Sequence, residues 1–274
     1  MAMTVPPRVT LCMILRDEHE LLADCLRSAR AVVGEIVALV DDRTTDDTIA
    51  IARNYGARVE TFTWTDDFAA ARNASIDRAR GAWILVLDAD DRLLPAGARA
   101  VRAASGLNAT RIYSGQTVHG YMLEIEERTC GGRVLGRAPS SARLFPRSEE
   151  LRYVGIVHEE VQCLPDPSAT RWALIDGGPH IAHLGYDRRL FAERDKDDRN
   201  VRLLERRLVS EPYNPYVRYY LAKHHWWMGR AALAGHWARQ ALRPEMRPQL
   251  HAEHQAELVR LTNLLAGRAG ITAP

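Results

Sequence analysis

The sequence has no long apolar run. Nowhere do about 18 apolar residues follow one another, so no membrane-crossing helix is expected. The opening residues, MAMTVPPRVT, lack the charged-then-apolar pattern of a secretory signal. A cytoplasmic protein is therefore expected, with the triplets at Asn73 and Asn108 unglycosylated. Cysteine is scarce: Cys12, Cys25, Cys130 and Cys163 show neither a C-x-x-C pair nor the density of a disulfide scaffold, as expected of a reduced protein. A surplus of one charge is missing too, since 37 Lys+Arg against 35 Asp+Glu leave +2. That balance argues against a dedicated nucleic-acid binder. Glycine-rich phosphate loops are also absent, both G-x-x-x-x-G-K-[ST] and G-x-G-x-x-G. Any phosphate ligand would have to be held through a metal and arginines.

What is present is an ordinary globular composition: 274 residues, 46% hydrophobic and 26% charged. That length suits one large domain, or a medium one with a small companion. From residue 8 to about 94 the hydrophobic period switches back and forth. The runs VTLCMIL (9–15), EIVALVD (35–41), ARVETF (57–62) and AWILVLD (82–88) read as strands, and the segments between them carry helical spacing. Strands alternating with helices predict an α/β, Rossmann-like, mostly parallel sheet with helices on both faces. Asp17 and Glu20 have the spacing of a capping box for the first helix. Asp46 is placed to cap the second helix, and Gly56 to stop it.

Beyond residue 109 the short runs TRIYSG, GYMLEI, ARLF, RYVGIVHEEVQCL and IAHLGY are broken by Gly and Pro, and CGGRVLGRAPSS (130–141) has the composition of a mobile loop. After Tyr186 strand signals vanish. A stripe through Leu190, Val201, Leu204 and Leu208, followed by helices at roughly 215–228, 231–242 and 248–266, predicts an all-helical extension over 187–274 beside a first domain of 1–186. Leu221, Ala222, Gly229, Ala234 and Ala241 fall at offsets used by the tetratricopeptide helix pair. His224-His225-Trp226-Trp227 lies inside a predicted helix, where adjacent residues face different ways, and reads as packing.

Open parallel sheets bind ligands beyond the carboxyl ends of their strands. Three of the four predicted ends carry acids: Arg16-Asp17-Glu18, Asp41-Asp42 and Asp88-Ala89-Asp90-Asp91. In extended chain Asp88 and Asp90 lie about 6–7 Å apart on one face. Two such hard oxygen ligands suit Mg²⁺ or Mn²⁺ and, through it, a diphosphate.

The series LCMILRDEHELLADCLRS, EIVALVDDRTTDDT, FTWTDDFAAARN and GAWILVLDADD resembles the amino-terminal half of family 2 glycosyltransferases of the GT-A fold. RLFPR, RYVGIVHEEV, IAHLGY and the helical segment after them resemble a bacterial branch with a repeat-like tail, to which peptide S-glycosyltransferases also belong. The resemblance implies a nucleotide-diphosphate sugar donor, UDP-linked, and a divalent cation, Mg or Mn. Asp41 would contact the base. Leu15, Arg16 and Glu18 would line the nucleotide pocket, with Arg72 and Asn73 near base and diphosphate. Asp88 and Ala89 would lie against the donor, Asp88 and Asp90 would hold the metal, and His183 of I-x-H-x-G-Y would supply a third ligand. Relatives read D-T-G-S-T-D-x-T where this chain has Asp41-Asp42-Arg43-Thr44-Thr45-Asp46-Asp47-Thr48, so an arginine replaces the turn glycine. Inverting transfer needs an acceptor-side base. Glu159 of the H-E element is the expected one, with His158 and Glu160 as rivals split from it by strand alternation. A nucleotidyltransferase releasing pyrophosphate and a non-catalytic peptide-binding scaffold are the alternatives.

Overall fold

The computed structural model describes residues 8–106, 112–113, 116–185 and 196–269. The chain separates into two compact units, residues 1–192 and 193–274. The expected boundary at 186/187, with Tyr186 and Leu190, lies outside the described residues.

In the first unit the alternation becomes β1 (Val9–Leu15), α1 (Leu22–Ala29), β2 (Glu35–Asp41), α2 (Thr48–Asn54), β3 (Arg58–Phe62), α3 (Phe68–Asp77) and β4 (Trp83–Val86). β1 lies between β2 and β4, parallel to both, and β3 continues the parallel set beyond β2. The chain goes on through β5 (Asp91–Leu93), α4 (Pro95–Gly106), the short pair β6 (Ile112–Tyr113) and β7 (Gln116–Thr117), β8 (Gly120–Arg128), β9 (Val134–Pro146), β10 (Leu151–Val154), β11 (Glu160–Cys163), β12 (Trp172–Leu174) and β13 (Ile181–His183). Among the described residues, the main sheet runs β3-β2-β1-β4-β9-β8-β13-β5, with β12 paired to β8. It is mixed: β9 is antiparallel to β4 and β8, and β5 is antiparallel to β13.

Two apolar layers cover this sheet. Alternate strand residues such as Leu11, Met13, Ala38, Val40 and Leu85 bury against Leu22, Cys25, Leu26 and Ala29 of α1, whose spacing forms a single helical stripe. The others, Cys12, Val37, Ile84 and Val86, bury against Ala69 and Ile76 of α3 and against Phe145, Tyr153 and Val161. Opposite packing faces follow from the two-residue period of a strand.

Local signals had mixed outcomes. α2 ends as expected: Gly56 takes φ +78, its N–H donates to Arg53 O, and the Ala57 N–H donates to Ala52 O. These bonds close the helix through a left-handed glycine. The capping box does not form. α1 starts at Leu22 without a side-chain cap, and Asp17 instead accepts from the Thr45 N–H at 2.9 Å. A contact between loops thus replaces the local one.

The expected loop 130–141 is largely strand. Only the turn between Thr129 and Arg133 reverses the chain, with Gly132 at φ +83, before β9 pairs with β8. Pro139 falls at a register irregularity, between the pairs Leu123↔Ser141 and Ile125↔Ala138, where a missing N–H breaks no ladder bond. Likewise RYVGIVHEEVQCL is not one strand but the antiparallel pair β10–β11 around a turn, with Gly155 at φ +98 and His158 at φ +50.

The second unit contains α5 (Lys196–Ser210), α6 (Pro215–Trp227), α7 (Ala231–Ala241) and α8 (Ala252–Ala269). Asn214 caps α6 by accepting from the Tyr216 N–H, and Gly229 turns the chain at φ +72. Small residues fill the seams: Ala222, Ala238 and Ala241 are buried with Tyr219, Leu250 and Leu258. His224 and His225 are buried in α6, with His224 Nδ1 2.6 Å from Asp197 Oδ1. No helix among the described residues is long and apolar enough to cross a membrane.

Candidate active site

The carboxyl edge of the parallel strands gathers the site, at two ends. At the first, β2 ends in Asp41, which is almost fully buried beside the exit of β1. Its Oδ1 accepts from the backbone N–H and Nε of Arg43, and its Oδ2 accepts from Nη2 at 2.6 Å. Arg16 Nη1 stands 3.9 Å away. Burial works against the charged carboxylate, yet the Arg43 bonds outweigh it and lower the pKa of Asp41. The arginine that replaces the turn glycine therefore folds back onto the acid expected to meet the base. Leu15 is buried at the end of β1. The loops behind are stitched together by the Glu18 N–H donating to Thr48 Oγ1 at 2.7 Å and the His19 N–H donating to Asp46 at 2.9 Å. Asp46 also accepts from the Thr48 N–H at the start of α2.

At the other end the residues after β4 make a tight turn. The Asp91 N–H donates to Asp88 O, and the Asp88 N–H donates back to Asp91 Oδ2 at 2.9 Å. Ala89 is buried within it. β5 then pairs with β13 so that His183 lies opposite Asp91. Asp90, Asp91 and His183 each offer a ligand atom, all within 4.8 Å of one another. Burial lowers the pKa of His183, but Asp90 and the bond to Asp91 more than offset it and lift the imidazole to about 9.

Asp88, expected among the metal ligands, stands apart from that cluster. Its Oδ1 accepts from Arg72 Nη2 at 2.9 Å and its Oδ2 from Arg143 Nη1 at 3.2 Å. Against the desolvation that raises its pKa, the two guanidiniums hold Asp88 well below the usual carboxylate range. Arg72 also donates through Nε to Glu159 Oε1 at 2.5 Å, and its guanidinium lies 5.5 Å from the Tyr153 ring centre. Burial pushes the Tyr153 phenol up to about 12, so it stays neutral.

Of the three rivals for the base, Glu159 is the one brought against Arg72. Glu160 is exposed at the start of β11, and His158 sits in the reversed turn. The expected alternation is lost because 155–159 form a turn. Asn73, expected near base and diphosphate, is engaged elsewhere. Its side-chain amide donates to Tyr153 O and accepts from the Tyr153 N–H, both at 2.9 Å. It ties α3 to β10.

Sequence reasoning missed Arg143, Tyr153, Asp91 and Gly185. Arg143 and Tyr153 occur in quoted runs, but only the pairing of β9 with β4 and the packing of β10 against α3 reveal their role. A Cβ added at Gly185 would lie 2.5 Å from His183 Nε2 and 2.7 Å from Asp90 Oδ2. Two ligand atoms therefore face one small space. Asp88, Asp90, Asp91 and Glu159 supply four carboxylates against two guanidiniums and one imidazole. Buried charge in excess of one sign is stable only with a counter-ion. The oxygen and imidazole donors, the small cradle and the charge all fit Mg²⁺ or Mn²⁺.

Residues 10–121 match the family described as glycosyl transferase family 2. The amino-terminal unit belongs to that family. Among curated proteins, the chain is 34% identical over 220 residues to a TPR repeat-containing protein of Synechococcus elongatus, covering 77% of this chain and 50% of that one. It is 28% identical over 211 residues to the prophage-derived glycosyltransferase SunS of Bacillus subtilis, covering 76% and 47%. The chain thus spans about half the length of these relatives. Residues 1–349 of TarS from S. aureus, solved in complex with UDP-GlcNAc, superpose with a TM-score of 0.52 at 14% identity, covering 97% of this chain and 93% of that one. That likeness extends to the GT-A-like fold.

Proposed function

We propose that this protein transfers a sugar from a nucleotide-diphosphate donor, UDP-linked, to a nucleophilic acceptor, with inversion at the anomeric carbon. The observation that carries this reading is the single edge shared by the Asp41 end and the Asp90–His183 cluster, flanking β1 in a family 2 glycosyltransferase unit. The UDP-GlcNAc bound by TarS, which shares the fold, supports the choice of uridine.

In this reading the nucleoside lies against Asp41, Arg16 and the first-strand exit at Leu15 and Glu18. Asp90 and His183 hold the divalent cation, with Asp88 and Ala89 at the donor. When bound, the cation neutralises charge on the departing diphosphate. Arg72 adds fixed positive charge on the same side, and its Nη1, like Nε of Arg143, is buried with no hydrogen-bond acceptor among the described residues. Both unmet donors favour an anionic occupant. Arg72 holds Oε1 of Glu159, so Oε2 is the oxygen that takes the acceptor proton as the sugar becomes oxocarbenium-like. The helical unit is assigned as a TPR-like extension that selects the acceptor. Cys12, Cys25 and Cys163, buried as free thiols, suit the reducing cytoplasm.

Calorimetry with UDP, with and without Mn²⁺, tests the reading: metal-linked binding is expected, and its absence leaves the scaffold alternative. Mass spectrometry over a panel of UDP-sugars should reveal slow hydrolysis of one donor. Pyrophosphate release from a nucleoside triphosphate in parallel samples would favour the nucleotidyltransferase instead.

A further inference from the structure

Asp91 looks at first like a third metal ligand, since it completes a cluster with Asp90 and His183. Its hydrogen bonds give it another task. It is fully buried, and both of its oxygens are engaged: Oδ2 accepts from the Asp88 N–H at 2.9 Å, and Oδ1 lies 2.9 Å from His183 Nδ1. Arg143 Nη1 approaches Oδ2 at 3.7 Å. Nδ1 also stands 3.7 Å from Asp90 Oδ1, whereas the opposite nitrogen, Nε2, borders with Asp90 Oδ2 the space at Gly185. The two atoms meet around the point where a Cβ on Gly185 would stand.

We propose that Asp91 is a positioning residue rather than a ligand. It locks the His183 ring through Nδ1 so that Nε2 faces the cation, while Gly185 keeps the cation's place empty of side chain. This rests on the cation reading given above. The physical basis is general: a carboxylate on one imidazole nitrogen fixes the tautomer and rotation of the ring and raises the basicity of the other nitrogen, and losing it costs about 10–100-fold in metal affinity. The backbone makes the arrangement rigid. His183 and Asp91 are register partners between β13 and β5, and the Leu184 N–H donates to Asp90 O at 2.9 Å. Asp91 also fixes the Asp88 N–H, so one buried side chain sets both the D-x-D turn and the histidine opposite it. Gly185 is required for space: any larger residue puts carbon within 3 Å of two ligand atoms.

The test uses the full chain labelled with ¹⁵N-histidine, titrated with Mn²⁺ in the presence of UDP and read by electron paramagnetic resonance. Asp91→Asn should weaken Mn²⁺ binding about 10–100-fold and abolish the imidazole ¹⁵N coupling seen in the native protein. Weakened binding with that coupling intact would make Asp91 a ligand and overturn the proposal, as would native affinity. Gly185→Ala should lose metal-linked UDP binding while keeping metal-independent UDP binding; a variant that binds Mn²⁺ normally contradicts the role of Gly185. Should Asp91→Asn fail to fold, long-range ¹H–¹⁵N correlation on the native chain with Mg²⁺ and UDP decides: His183 is expected as the Nδ1–H tautomer, and an Nε2–H tautomer refutes the mechanism. Asp90→Ala and His183→Ala serve as controls. If both keep native Mn²⁺ affinity, the underlying cation reading fails, separately from this one.

Discussion

The two ends of the candidate site are built on different physical principles. At the Asp41 end the partners are sequence neighbours or adjoining loops: Arg43 clamps an acid two residues away, and Asp17 and Asp46 hold the loop opposite. The arginines there, Arg16 and Arg43, have half-exposed side chains, at 52% and 48%. Solvent screens their charges, and such pairs contribute on the order of 0–1 kcal/mol. At the other end Asp88, Arg72, Arg143, Glu159 and His183 come from positions up to 111 residues apart, all in partial or full burial. In a drier setting each charge depends on the others, so removing one strands its partners. A half-exposed arginine clamp and a more deeply buried charge network thereby share one sheet edge.

If that contrast holds, substitutions at the buried end should do far more than those at the exposed one. Asp90→Ala should have the largest effect, abolishing transfer and the Mn²⁺-dependent part of UDP binding in calorimetry. Normal turnover in this variant would end the assignment of the cluster. Glu159→Gln comes next. It removes the proton acceptor but keeps the shape, so turnover should fall by about 10²–10⁴-fold with metal-linked UDP affinity unchanged. An equal loss of UDP affinity would recast Glu159 as a mere partner of Arg72.

Arg143→Met, which leaves Asp88 with one guanidinium, should cost stability before it affects chemistry. Breaking a buried pair costs about 3–5 kcal/mol, and the lower end is expected here because Arg72 remains. The pH dependence supplies the sign. Asp88 is held below its ordinary value near 3.9, so its pairing stabilises the fold above that pH and the contribution is lost as pH falls. The gap in Tm between native and variant should therefore be full at neutral pH and close progressively below about pH 4. A gap independent of pH would mean that Arg143 acts by packing alone.

Legibility divides along the same line. The strands, the helix stop at Gly56 and the acids at the strand ends were readable because each depends on neighbours in the chain: Leu22, Cys25, Leu26 and Ala29 form a stripe whatever they pack against. The capping role given to Asp17 failed because a loop 28 residues away competed for its carboxylate. The strand β9 was hidden by Gly136 and Pro139, whose turn propensity yields to a ladder supplied by β8. Arg143, Asp91 and Gly185 left no local trace of their roles, since only the pairing of β13 with β5 and of β9 with β4 brings them to the site. Asn73 shows the converse, a residue of a recognisable motif whose amide serves the fold.

The smallest expected effect is the sharpest test of the exposed end. Arg43→Gly places at this turn the glycine of the family motif the sequence resembles and removes the side-chain bonds to both oxygens of Asp41, leaving the backbone N–H on Oδ1. On the proposed reading, a nucleobase N–H competes with Nε and Nη2 of Arg43 for that carboxylate. The Arg43 side chain is half-exposed, so the loss of its bonds is worth less than about 1 kcal/mol. UDP should bind about threefold more tightly to the variant, within the roughly fivefold that this energy allows, with Mn²⁺ linkage unchanged. A large loss of affinity instead would show that Arg43 itself contacts the nucleotide, and that the arginine is a binding residue where relatives use a bare turn.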